Sequence, residues 1–156
     1  MHGTRSIVGF PPMEKAFPPD APNRRFKQMQ EWESRALNRW IKRHKDEIKL
    51  IWTQVPVGII MAGIRNEKDT RKRRLLEPYA MRIDAVFMNQ DNYPEILEIQ
   101  KHGNPEGVGK LIMYSNAYYD EFGLHPLKNL LAKNHTPDVS SQAKELNIHI
   151  YTDTTI

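Results

Sequence analysis

The sequence predicts an α/β domain with a central mixed β-sheet flanked by helices, in the order α-β-β-β-α-β-α-β. Three observations lead there. Segments with helical spacing of apolar residues alternate with short β-branched apolar runs along the 156 residues. Two such runs, Arg82-Ile83-Asp84-Ala85-Val86-Phe87 and Glu95-Ile96-Leu97-Glu98-Ile99-Gln100, bracket the polar stretch Asn89 to Pro94 and read as a β-hairpin. Glycine and proline then punctuate the second half at the spacing expected of βα units.

Residues Phe10 to Pro22 carry five prolines, which rule out a regular helix and predict an extended arm, residues 1–22, that could dock on a protein partner or a second copy of the chain. The domain proper is expected over residues 23–156. Asn23 can cap a helix running to about Glu47, with Phe26, Met29, Trp32, Ala36, Leu37, Trp40 and Ile41 on one side. Glu33 falls within that apolar stripe, where a carboxylate needs an ionic or metal partner. Ile51 to Ile64 reads as a strand, with Pro56 and Gly58 marking a bulge or an edge. A basic connection follows, leading into the strand from Tyr79 to Met88 and so into the hairpin. Past Gly103-Asn104-Pro105-Glu106-Gly107, a helix is expected from Val108 to Phe122, ended by Gly123. Leu127 to Lys133 is taken as a strand, Pro137 to Leu146 as a helix and Ile148 to Thr152 as a strand.

Composition narrows the function classes. The absence of cysteine excludes disulfides, thiolate metal sites and a cysteine nucleophile. No apolar run is long enough to span a bilayer and the amino terminus has no secretory core, so a cytoplasmic location is expected and no membrane partner. The net charge is +4, and it is clustered: Arg65, Lys68, Arg71, Lys72, Arg73 and Arg74 fall in one short segment, with Arg24, Arg25 and Lys27 in another. Such clusters suit a polyanion such as DNA. No two histidines have metal-ligand spacing; His44 falls on the first helix and His102 just after the hairpin.

The hairpin carries the chemistry. Side chains alternate along a strand, so Glu98 and Gln100 share a face and Asp84 can meet them from the neighbouring strand. Oxygen ligands of this kind suit a hard divalent cation.

Asp84, followed by Glu98-Ile99-Gln100 on the next strand, resembles the Asp and Glu-x-Lys motif of the PD-(D/E)XK nuclease superfamily, with glutamine in the lysine position. Glu33 matches the extra acid that many members carry on the first helix. Lys110-Leu111-Ile112-Met113-Tyr114 is similar to the Gln-x-x-x-Tyr element of the RecB-like branch, with lysine where glutamine is common. The resemblance covers about residues 23–152 and points to a small phage-type or mobile-element nuclease of Glu-x-Gln type, located in a host cytoplasm or a virion. It implies a DNA nuclease using Mg²⁺ or Mn²⁺, in which Asp84, Glu98 and the carbonyl of Ile99 bind the metal. Glu33, Gln100 and Lys110 complete the catalytic set, with the Lys110 ammonium replacing the missing strand lysine. Arg65, Lys68, Arg71, Lys72, Arg73, Arg74 and Tyr114 would contact DNA, although Tyr114 and Tyr118 also fit a core position. Two other readings stand beside this one: a catalytically lapsed nuclease fold serving as an assembly or DNA-binding module, and a nucleic-acid binder of unrelated α/β fold.

Overall fold

The computed structural model describes residues 7–76 and 80–156. It contains a five-stranded sheet in sequence order: β1 (Ile48–Val57), β2 (Met81–Asn89), β3 (Pro94–Gly103), β4 (Leu127–His135) and β5 (Ile148–Thr152). The first two pairings are antiparallel and the last two parallel, so the sheet is mixed. Helix α1 (Glu31–Arg43) packs on one face through Leu37, Trp40 and Ile41, which join Ile51, Phe87, Leu97 and Leu131 in one apolar cluster. Helices α4 (Pro105–Phe122) and α5 (Pro137–Glu145) cover the other through Leu111, Tyr118, Val139 and Ala143, against Val86, Ile96 and Leu130. Among the described residues, no helix is long and apolar enough to cross a membrane.

The hairpin between β2 and β3 forms because Asn89 organises it from both ends. Its side-chain oxygen accepts the amides of Asp91 and Tyr93, and its own amide donates to the Tyr93 carbonyl. Asn92 takes the left-handed conformation, φ 60°, that asparagine tolerates. Helix α4 starts at Asn104, whose side chain accepts the Gly107 amide, with Pro105 in the first turn. It ends at Gly123, φ 83°.

Several element boundaries differ from the sequence reading. The first helix begins at Glu31, not Asn23, because the Glu33 carboxylate reaches back to accept the Gln30 backbone amide at 3.0 Å and closes the first turn. Upstream, Gln28 has φ 69°, so Phe26 and Met29 reach the core from an irregular loop. That helix stops at Arg43 rather than Glu47, and a 3-10 turn over Lys45–Glu47 leads into β1. The expected strand from Ile51 to Ile64 is a strand only to Val57. Gly58, φ 97°, turns the chain into a helix, α2 (Ile59–Asn66), and a β-carbon at Gly58 would lie 2.7 Å from the Met81 methyl. The basic connection is likewise ordered, as the end of α2 and the short helix α3 (Thr70–Leu76). Strand β2 begins at Met81; the expected start, Tyr79, lies outside the described residues.

The proline-rich stretch lies against its own domain. It runs along the outer side of β1 and reaches both faces of the sheet. Phe10 stacks on Trp52 in the cluster under α4, whereas Phe17 stacks on Phe26 in the cluster under α1. Between them the Trp52 indole N–H donates to the Pro12 carbonyl at 2.9 Å, and Phe17 and Ile51 exchange two backbone hydrogen bonds of 2.9 Å. The stretch contains one 3-10 turn, Met13–Lys15. The Phe17→Ala variant, which empties a 9% exposed aromatic position, is expected to lose about 3 kcal/mol of unfolding free energy. Urea denaturation measures this, and an unchanged midpoint would mean that the stretch does not contribute to the core.

Candidate active site

The strand register brings the hairpin acids together. The last paired positions of β2 and β3 are Ala85 and Leu97, and one step further along the same register Asp84 meets Glu98. There the backbones no longer pair with each other. Instead the Ile99 amide donates to Asp84 Oδ2 at 2.9 Å, so a carboxylate occupies the place of a ladder carbonyl.

The other side of Asp84 is irregular as well. Thr53 pairs with Ala85 and Val55 with Ile83, but Gln54, which would face Asp84, has φ 51°. The in-and-out alternation shifts at this step in both strands. Trp52 and Val55 fall in one apolar cluster despite opposite parity, as do Ile83 and Val86. A left-handed non-glycine residue costs about 1–2 kcal/mol, and such strain concentrates at functional sites. Gln54 Nε2 lies 3.5 Å from Asp84 Oδ1, at the limit of a hydrogen bond. Sequence reasoning missed Gln54, because Ile51, Val55 and Val57 keep one parity in the sequence and the shift shows only where Ile51 falls in one apolar cluster and Val55 and Val57 in the other.

The electrostatics follow from burial. Glu98 is 6% exposed, and its Oε2 has no hydrogen-bond partner. Burial, then the negative charge of Asp84, push the Glu98 carboxyl up to about 9. Burial also raises Asp84, against the lowering effect of its hydrogen bond with Glu98, the Ile99 amide, Gln54 and Lys110. Two carboxylates within hydrogen-bonding reach therefore hold a proton between them at neutral pH. Glu33 enters from the first turn of α1. Burial raises it most; the Gln30 amide, at 3.0 Å, lowers it, Asp84 raises it, and Arg25 and Lys110 lower it.

Lys110 lies within the field of all three acids and lowers each. It is half-buried on α4, with its ammonium 3.8 Å from Glu106 one turn earlier. One turn later, burial followed by the charges of Glu98 and Asp84 raises Tyr114. Tyr114 thus belongs with the acids and with the apolar cluster beneath α4.

Gln100 is directed to the start of α4. Its Oε1 accepts the Asn104 amide at 3.4 Å, and a β-carbon at Gly107 would collide with the same oxygen. Glycine at 107 therefore lets strand β3 clasp the first turn of α4, which fixes the height at which Lys110 faces the acids.

The basic segment is less concentrated on the site. Arg65 pairs with Glu121 on α4 and reaches the Pro56 carbonyl. Lys68, Arg71, Lys72, Arg73 and Arg74 are exposed on α3 and its approach, and α3 packs on α2. The cations acting on the three acids are Lys110 and, on Glu33, Arg25, which the sequence had grouped only as part of a basic cluster.

Among the described residues, no three His, Asp or Glu side chains converge closely enough to cage a metal. A carboxylate pair is nevertheless what Mg²⁺ uses, since it keeps several waters and takes one or two protein carboxylates. The unpartnered Glu98 oxygen and the forced sharing of a proton are the features such a cation would relieve.

No family model and no curated protein matches the chain by sequence. Solved structures do resemble it. A repair endonuclease from Pyrococcus abyssi aligns at a TM-score of 0.51 with 15% identity, over 83% of this chain and 49% of its own. That likeness shows the fold: an α/β core with a mixed five-stranded sheet flanked by helices. EndoMS in a dsDNA2 complex aligns at 0.48 with 11% identity, and EndoMS in apo form at 0.45 with 15%; each covers 83% of this chain and 48% of the other. The chain spans about half the length of these structures.

A raised carboxyl has a definite consequence for stability. Between its unfolded value near 4.5 and its folded value of about 9, Glu98 binds more proton in the folded state. Its contribution is therefore fully present below pH 4.5 and is lost as pH rises through about 9, by up to about 1.4 kcal/mol per pH unit. In metal-free buffer, Glu98→Gln is expected to melt close to wild type at pH 5 and above it at pH 8. Equal melting temperatures at both values would show that Glu98 is not held protonated.

Proposed function

We propose that the chain is a metal-dependent nuclease that hydrolyses DNA phosphodiester bonds. The observation that carries this reading is the pairing of half-buried Asp84 with buried Glu98 in the field of Lys110, in a fold like that of a repair endonuclease. Asp84 and Glu98 would hold a divalent cation, Mg²⁺ or Mn²⁺, with the Ile99 carbonyl as a further oxygen ligand. Bound there, it would supply Lewis-acid activation of water and of the phosphate.

The chain's own groups do the rest. The proton shared by Asp84 and Glu98 must leave before both carboxylates can bind a cation, so loading of the site is pH-dependent. The Ile99 amide and Gln54 orient Asp84, leaving Glu98 free to ligate. Lys110 supplies the positive charge that offsets charge growing on the phosphate, the role the strand lysine has in the resembling superfamily. Gln100, engaged with the start of α4, carries no charge and acts by setting the position of that helix. Glu33 offers a second carboxylate for water, and the exposed cations of α3 attract the phosphate backbone in a salt-dependent way.

Supercoiled, linear and single-stranded DNA incubated in Mg²⁺ or Mn²⁺ should be cut, with chelation abolishing the activity. Asp84→Ala should be inactive, and Lys110→Met slower by on the order of a hundredfold. If Asp84→Ala cuts as fast as wild type, the assignment is wrong. If wild type binds DNA without cutting any form, the lapsed binding module is correct. Calorimetry tests metal loading separately: Mg²⁺ binding at pH 7 should release protons, seen as a heat that depends on the buffer's ionisation enthalpy.

A further inference from the structure

A cavity of about 370 Å³ opens beside α1 and the loop before it, lined by Arg24, Arg25, Arg35, Asn38, Arg39 and Lys42. The four α1 residues are spaced i, i+3, i+4 and i+7, which places them on one side of the helix. At 100° per residue, that side is roughly opposite the one carrying Glu33. The cavity is therefore not the acid site, yet it adjoins it through one residue: Arg25 lines the cavity, and its charge acts on Glu33.

The four arginines have partners that position them. The Arg24 guanidinium lies 4.1 Å over the Phe17 ring, and the Asn38 amide bonds the Arg24 carbonyl at 2.8 Å. Arg25 donates to the Ser34 hydroxyl at 3.2 Å and to the Phe26 and Met29 carbonyls. Arg39 pairs with Asp153 at 2.9 Å. Burial favours the neutral form of Asp153, but hydrogen bonds from Thr155 and Arg39 outweigh it and hold the carboxyl below its ordinary value. Arg35 pairs with Glu31 at 2.5 Å. Two of the five cations are thus matched by carboxylates, which leaves a net positive wall in which Arg24, Arg25 and Arg39 are the most firmly placed.

Guanidinium groups fixed in this way suit tetrahedral oxyanions, because their planar forks bind two oxygens at once and little further entropy is lost on binding. We infer that the cavity is a phosphate subsite, holding the backbone of the nucleic-acid strand that flanks the bond positioned at Asp84 and Glu98. The inference rests on the nuclease reading for its ligand. It extends the DNA-facing surface around the first turn of α1, away from the basic helix α3.

The test is DNA binding by fluorescence anisotropy, using a labelled 20-base-pair duplex on the Asp84→Ala chain so that cleavage does not interfere. Adding Arg35→Glu and Lys42→Glu, both at exposed positions, should weaken binding at least tenfold at moderate salt. The slope of log affinity against log salt should become shallower by roughly one to two units, about 0.9 for each phosphate that is no longer neutralised. Unchanged affinity and slope would overturn the subsite and leave the nuclease reading in place. Weakened binding in a chain whose wild type cuts no DNA would leave the subsite and remove the nuclease reading. No binding by either chain would overturn both. Should the double charge reversal fail to fold, Lys42→Gln alone should still reduce the slope, and an unchanged slope would count against the subsite.

Discussion

Two carboxylates brought together where β2 and β3 part, Glu98 buried and Asp84 half-buried, set the terms for everything around them. A single buried Glu98 would be costly; opposite Asp84 it cannot be ionised at neutral pH without a neighbouring positive charge. Lys110 supplies part of that charge from α4, and the Ile99 amide and Gln54 supply dipoles. A domain that gained only stability from these positions would carry apolar residues there. The arrangement is consistent with a site that accepts a cation and gives up a proton in return.

The surrounding irregularities serve that pair. Gln54 sits in a left-handed conformation within a strand, and both β1 and β2 shift their alternation beside it. A regular ladder would have aimed Asp84 squarely at one face of the sheet. With the shift, its carboxylate reaches the backbone of β3 instead. Gly107 works at the opposite end, since only a residue without a β-carbon lets the Gln100 amide lie so close to the start of α4.

Much of this was legible in the sequence. The second half of the chain announced itself through breakers: Asn104-Pro105 before α4, Gly123 after it and Pro137 before α5. Asp84 and Glu98 were visible because a period of two puts them on facing strands. The start of α1 was not, because Phe26 and Met29 continue the helical spacing of Trp40 and Ile41 by coincidence while belonging to a loop. Helix α2 was hidden by its isoleucines, which favour strands locally; only the left-handed Gly58 separates it from β1. The meeting of Lys110, Glu33 and the acid pair depends on how two helices sit on opposite faces of the sheet, which residue spacing within either helix does not specify.

The proline-rich stretch along β1 has a bearing on how the molecule behaves among its own copies. An open outer strand offers unpaired amides and carbonyls to any passing chain, which is a route to sheet extension and insoluble assembly. Here Phe17 takes both backbone groups of Ile51, and the nearby prolines have no N–H with which to continue a ladder outward. The segment joins the sheet for one residue and covers that part of its edge. Strand addition across Ile51 would require displacing Phe17 from its apolar cluster, while Phe10 holds the same segment in the cluster on the other face.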